Sequence, residues 1–166
     1  IEGVEHLGGC EYRIIPDRIE AGTFMVAAAI TNGELELVNC RADHLSAVTD
    51  RLRQIGITVE RNNGCVVVAS GRRLNPTDVT TQPYPGFPTD LQAQLMTLLC
   101  LADGNSVITE KIFPDRFMHV AELSRMGAQL RKEGPTVIVE GVRQLIGAPV
   151  MASDLRASAA LLVAGL

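Results

Sequence analysis

The sequence predicts an α/β (α+β) fold turned inside out, with helices in the middle and sheets around them. It is built from β-α-β-α-β-β repeats, the third incomplete. Three observations carry this reading. First, an aspartate opens an almost wholly apolar stretch three times: Asp17 in IIPDRIEAGTFMVAAAI, Asp90 in GFPTDLQAQLMTLLCLA and Asp154 in MASDLRASAALLVAGL. Helices that are apolar on nearly every face have to be buried. Second, the segment GELELV alternates Glu34 and Glu36 with Leu35 and Leu37, the pattern of a strand with one wet face. Third, Gly56 and Gly127 close the second helix of each unit at nearly the same distance from its leading aspartate.

The elements follow in order. Residues 10–16 (CEYRIIP) read as a short strand, residues 17–31 as a buried helix and Asn32-Gly33 as a turn into GELELV. Residues 43–56 form an amphipathic helix with Leu45, Val48, Leu52 and Ile55 on one stripe and Gly56 as its cap. Strands ITVERN and CVVVAS pair across Asn63-Gly64, a hairpin dipeptide. The second unit repeats the order. A strand in DVTTQPYP leads to a helix over 89–103, strand SVITEKI, a helix over 116–127, and strands AQLRKE and TVIVEGV across Gly134-Pro135. The third supplies strand GAPVMAS and a helix over 154–166. The units span about 10–71, 78–142 and 147–166, all within one domain. Each unit of such a repeat needs neighbours to cover its apolar faces. A chain starting at Ile1 without Met and ending inside a unit therefore reads as a piece of a larger protein.

Composition narrows the classes. Hydrophobic residues make up 46% and aromatics 4%, with no Trp, so the core is aliphatic. A net charge of −4 argues against a nucleic-acid partner. No apolar run is long enough to span a bilayer, and no basic, apolar leader opens the chain, so no membrane association is expected. Cys10, Cys40, Cys65 and Cys100 form no Cys-x-x-Cys pair and no ligand spacing with a His, so zinc is not expected. Cys40, Cys65 and Cys100 read as small buried thiols of a reducing cytoplasm. Phosphate-binding glycine motifs are missing. The basic pairs Arg72-Arg73 and Arg131-Lys132 are expected at surface turns or strand ends.

Three charged residues stand out. Asp90 has two open readings. Thr89 and Gln92 fit a capping box, and an acid in the first turn suits the helix dipole; Asp17 and Asp154 sit in equivalent places. The alternative is a carboxylate that accepts a proton in chemistry. Arg156 lies two residues into an apolar helix, where an unpaired guanidinium is costly. It needs a bound anion or a bridge to Asp154, Asp17 or Asp90. Arg116 is placed at a helix start, against the dipole, which points to a partner or a functional role. His119 reads as a core or supporting histidine.

The segments PGFPTDLQAQ, ITEKIFPDRFMHVAEL with SRMGA after it, VMASDLRASAALLVAG and PDRIEAGTF resemble UDP-N-acetylglucosamine enolpyruvyl transferases. They match in order and over nearly the whole chain. The resemblance implies an inside-out α/β barrel of the enolpyruvyl transferase type, in which this chain is most of the second of two domains. It implies transfer of the enolpyruvyl group of phosphoenolpyruvate to the 3′-hydroxyl of UDP-N-acetylglucosamine with release of phosphate. That is the first committed step of peptidoglycan synthesis, cytoplasmic and with no metal or organic cofactor. The implied partners are the two substrates and an N-terminal domain of the same enzyme.

By the same resemblance Asp90 is the base near the sugar hydroxyl, and Arg116 and Arg156 lie near the reaction centre. Ile112 and Phe113 line the nucleotide-sugar site, the former through its backbone, although core packing fits both equally. Pro88 shapes the turn presenting Thr89 and Asp90. Pro114-Asp115 stand where the family often has Glu-Asn. The family's Lys-Asn pair, its Cys-bearing loop and a further Arg match nothing here, so the chain alone should hold about half a site and be inactive. A shikimate-pathway enolpyruvyl transferase is the alternative, and a non-catalytic binding or scaffold module of the same fold is another.

Overall fold

Asp17 starts the first helix as its side chain allows. In the computed structural model, which describes residues 1–166 except Asn63 and Arg72, the Asp17 carboxylate accepts the N–H of Ile19 at 2.7 Å and of Glu20 at 3.4 Å. Helix α1 (Arg18–Ile30) follows. After a turn comes β1 (Glu34–Val38), with Leu35 and Leu37 half-buried and both glutamates exposed. A 3₁₀ turn over Ala42–Leu45 leads into α2 (Ser46–Ile55), and Leu45, Val48, Leu52 and Ile55 are buried as one stripe. Gly56 ends α2 at φ 103°, a conformation that side chains resist. Strands β2 (Thr58–Asn62) and β3 (Cys65–Ala69) pair antiparallel with Asn62 opposite Cys65. Asn63 of the hairpin dipeptide and Arg72 of the first basic pair lie outside the described residues. The sheet order is β1-β3-β2.

The second unit holds β4 (Val79–Thr80), a 3₁₀ turn over Thr89–Leu91, α3 (Gln92–Leu99), β5 (Asn105–Thr109), α4 (Met118–Arg125), β6 (Gln129–Glu133) and β7 (Thr136–Glu140). Its sheet runs β4-β5-β7-β6, with only the β4–β5 pair parallel. Helix α5 (Leu155–Ala164) is capped by Asp154.

The layering is the inverted one. Every residue of α3 is buried. It packs on α1 and α5, α1 lies against β1 and β3, and α3 lies against β5 and β7. The two sheets therefore flank the helices, and outward positions carry Glu34, Glu36, Glu60 and Arg131. Each fully buried aliphatic side chain, such as Leu95, Met96, Leu98 or Leu99, contributes roughly 1.5–3 kcal/mol. Polar groups inside this core tie helix to helix: Gln94 Nε2 donates to Thr23 Oγ1 at 3.1 Å, and Thr97 Oγ1 to the Ala160 carbonyl at 3.4 Å.

Several expectations need correction. Residues 10–16 and 147–153 form no strand. An extended segment becomes a strand only beside a partner, and no described strand pairs with either. The segment DVTTQPYP keeps just two residues in the sheet, Val79 and Thr80. The helix expected from 116 begins at Met118, because turns closed by the Phe113 and Asp115 carbonyls occupy the residues before it. Arg116 therefore precedes the helix, and the dipole argument for it lapses. Cys100 is buried, but Cys40 and Cys65 are only half-buried and Cys10 is exposed. Cys65 sits on the outward register of β3, where Val66 and Val68 point in. Phe24, Leu155 and Leu162 remain exposed, since α1 and α5 flank α3 rather than being enclosed as it is.

Candidate active site

The three leading aspartates do not do the same thing. Asp17 and Asp154 are caps, and Asp154 accepts the N–H of Arg156 and Ala157, both at 2.9 Å. Asp90 lies in the 3₁₀ turn before α3, and neither that turn nor α3 has a side-chain cap. The capping box of Thr89 and Gln92 does not form. Asp90 Oδ1 instead accepts from Arg116 Nη1 at 2.8 Å and lies 3.4 Å from Arg156 Nε. Of Arg156's three possible partners, the structure selects Asp90. The Asp90 side chain is 37% exposed, so it faces an opening rather than the aliphatic core. Two guanidiniums converge on this one carboxylate, and guanidinium suits carboxylate and phosphate oxygens.

Three parts of the chain make this meeting. Helix α1 approaches the Thr89–Leu91 turn at Gly22, where a β-carbon would overlap the Leu91 side chain. Helix α5 supplies Arg156, whose backbone is held by the cap and whose side chain reaches Asp90. The loop between β5 and α4 supplies Arg116, whose N–H bonds the Phe113 carbonyl at 2.9 Å. Phe113 is 56% exposed, which overturns core packing for it. Its ring lies 5.5 Å from the Arg116 guanidinium carbon, a cation–π contact that helps aim the arginine. Ile112 is half-buried.

Sequence reasoning missed Glu110, a fully buried carboxylate beneath this loop. Its Oε1 accepts from Thr81 Oγ1 at 2.6 Å, Ile112 N–H at 2.8 Å and Phe113 N–H at 3.0 Å. Its Oε2 accepts from Thr89 Oγ1 at 2.9 Å. Thr89 Oγ1 in turn accepts from Arg116 Nη1 at 3.3 Å. Because the Ile112 N–H is engaged, its carbonyl is the backbone group left for a ligand. Strand alternation carried the signal: Ser106, Ile108 and Glu110 point inward, whereas Val107 and Thr109 do not.

His119 is buried beneath the same group, its ring 6.2 Å from that of Phe117. Burial pushes its pKa down to about 4, with Asp154 opposing and Arg116 reinforcing the shift. The Asp154 carboxyl is held below its ordinary value chiefly by the Ala157 N–H. No group of three or more His, Cys, Asp or Glu among the described residues is arranged to hold a metal ion. No helix among them is long and apolar enough to cross a membrane. A cavity of about 610 Å³ lined by Pro16, Arg18, His44 and Tyr84, among others, shares no lining residue with the Asp90 group.

A family model described as EPSP synthase (3-phosphoshikimate 1-carboxyvinyltransferase) matches residues 1–166, the whole chain. The chain belongs to the EPSP synthase family. Within it, the chain is 60% identical over 166 residues to a UDP-N-acetylglucosamine 1-carboxyvinyltransferase of Oleidesulfovibrio alaskensis, covering 100% of this chain and 40% of that protein. It is 57% identical over 166 residues to the protein of that name from Lawsonia intracellularis, with the same coverage. The chain thus spans about 40% of the length of these curated relatives. The enolpyruvyl transferase NikO of Streptomyces tendae superposes with a TM-score of 0.79 at 28% identity, over 91% of this chain and 36% of that one. An EPSP synthase of Acinetobacter baumannii shares the fold, with a TM-score of 0.69 at 20% identity, over 93% of this chain and 38% of that one. These likenesses agree with the inside-out α/β fold read from the sequence.

Proposed function

We propose that the protein containing this chain transfers the enolpyruvyl group of phosphoenolpyruvate to the 3′-hydroxyl of UDP-N-acetylglucosamine, releasing phosphate. The observation that carries this is Asp90: alone among the three leading aspartates it is freed from capping, and it stands at an opening between two arginines. Relatives at 57–60% identity carry the name UDP-N-acetylglucosamine 1-carboxyvinyltransferase, which supports the amino-sugar acceptor over shikimate phosphate.

In this reading the sugar hydroxyl oxygen bonds to C2 of the enol while C3 gains a proton. The adduct then loses a C3 proton and the C2–O bond to phosphate breaks. A carboxylate is far too weak a base to deprotonate an alcohol outright, so Asp90 takes the proton as the C–O bond forms. Arg116 and Arg156 face the anionic donor and restrain Asp90 between them. The Ile112 carbonyl and Phe113 contact the nucleotide sugar, and Thr89 steadies the turn. The units at about 10–71, 78–142 and 147–166 form part of one enolpyruvyl transferase domain. An N-terminal domain supplies the opposite wall, and the isolated chain is inactive. The reaction belongs to the cytoplasm and to peptidoglycan synthesis.

The test is phosphate release by the full-length protein with phosphoenolpyruvate and UDP-N-acetylglucosamine together. Release with shikimate 3-phosphate instead would replace the acceptor. No release with either acceptor would leave a binding module, and turnover by the 166-residue chain alone would overturn the half-site reading.

A further inference from the structure

Glu110 accepts four hydrogen bonds and gives none, and the donors come from three places in the chain. Thr81 lies just after β4, Thr89 in the turn carrying Asp90, and Ile112 and Phe113 in the loop carrying Arg116. Thr81 is itself fully buried, and its oxygen accepts the Lys111 N–H at 2.8 Å. A cluster buried this fully leaves the carboxylate no access to a substrate. What it can do is set the direction of the bonds above it.

A carboxylate only accepts, so the single Thr89 hydroxyl proton must point down to Glu110. That leaves the Thr89 lone pairs facing up, where one receives Arg116 Nη1 at 3.3 Å. The same Nη1 holds Asp90 Oδ1 at 2.8 Å. A directed chain therefore runs from the buried carboxylate through Thr89 and Arg116 to the carboxylate at the opening. The two N–H bonds from Ile112 and Phe113 fix the other end of the same loop.

We infer that Glu110 is a positioning residue for the enolpyruvyl transfer: through Thr89 and Arg116 it sets the orientation of Asp90. The inference rests on the proposed role of Asp90. Glu110→Gln separates this role from plain structural support. With its amide oxygen toward Thr81, Ile112 and Phe113, glutamine keeps three of the four bonds. Its NH₂ then faces Thr89, reverses that one bond and competes with Arg116 for the Thr89 oxygen. Thr89→Val removes the same link from the other side, and Thr89→Ser retains it.

The experiment uses the full-length protein and follows phosphate release, with unfolding midpoints measured in parallel. Glu110→Gln and Thr89→Val are each expected to lower kcat about tenfold, the worth of one well-placed hydrogen bond to a charged group. KM for UDP-N-acetylglucosamine should change little. The double variant should be no slower than the slower single one, and Thr89→Ser should recover most of the rate. Unchanged kcat in both single variants overturns the inference, as does a change confined to KM or a double variant whose losses multiply. Asp90→Ala is the control for the underlying reading. If Asp90→Ala turns over normally, the base assignment fails; if it is inactive while Glu110→Gln and Thr89→Val are normal, only the present inference fails.

Discussion

Replacing each leading aspartate by alanine in the full-length protein separates capping from chemistry. Asp17→Ala removes bonds to the Ile19 and Glu20 N–H groups, and Asp154→Ala removes bonds to those of Arg156 and Ala157. A lost cap costs typically about 1 kcal/mol. Asp90→Ala removes no cap. It breaks the Arg116 and Arg156 contacts, but those side chains are 24% and 27% exposed and water takes over part of the work. Arg116 also retains Thr89 Oγ1. The stability change should therefore stay within about 1 kcal/mol, as for partly exposed ion pairs. Turnover should fall by about 10²- to 10⁴-fold, the usual contribution of a positioned base, while nucleotide-sugar binding weakens only mildly. Denaturant midpoints and phosphate release give the two readouts. The two kinds of variant lose stability on a similar scale, so turnover decides: an Asp90→Ala protein with near-normal turnover would refute the argument.

Three further outcomes are expected. His119 has its pKa pushed down to about 4 from an ordinary 6.5, so between those values the unfolded chain binds the proton and the folded one does not. Stability is full above pH 6.5 and falls as pH drops toward 4, by up to about 3 kcal/mol. His119→Gln should flatten that dependence in pH-resolved denaturation, and an unchanged slope would contradict the assignment. Gly22→Ala gains up to ~1 kcal/mol of helix propensity but forces the buried Leu91 side chain aside, at about 1–3 kcal/mol. It should lower both the unfolding midpoint and turnover, since Leu91 adjoins Asp90; a stabilised, fully active variant would show that Leu91 has room to move. Burial pushes the Cys100 thiol up to about 12, and thiolate is the reactive form. A thiol reagent should label Cys10 in the native protein and Cys100 only on unfolding, and native labelling of Cys100 would count against the buried placement.

Much of the fold was legible because it follows from local chemistry. The apolar stretch after Asp90 has nowhere to go but the interior, and α3 is buried along its whole length. The stripe of Leu45, Val48, Leu52 and Ile55 and the glycine at 56 specify α2 and its end without reference to distant residues. The strands expected at 10–16 and 147–153 failed for the opposite reason. A strand needs a partner, and composition cannot say whether one is within reach.

The candidate site divides along the same line. Arg156 stood out because a guanidinium in an apolar helix demands compensation. Arg116 stood out on a dipole argument that the later helix start removes, and Asp90 was left between a cap and a base until the resemblance favoured the base. The sequence could not decide which of three similar aspartates is a cap and which is not. Capping depends on whether the side chain meets its own helix's N–H groups, and at Asp90 two arginines from distant segments draw the carboxylate away. Glu110 was hidden for a related reason. Its four donors span Thr81 to Phe113, and only the folded chain brings them onto one buried carboxylate. Burial and periodicity are properties of neighbouring residues and can be read along the chain. Which charge meets which is a property of three-dimensional closure, and the tertiary structure alone decided it.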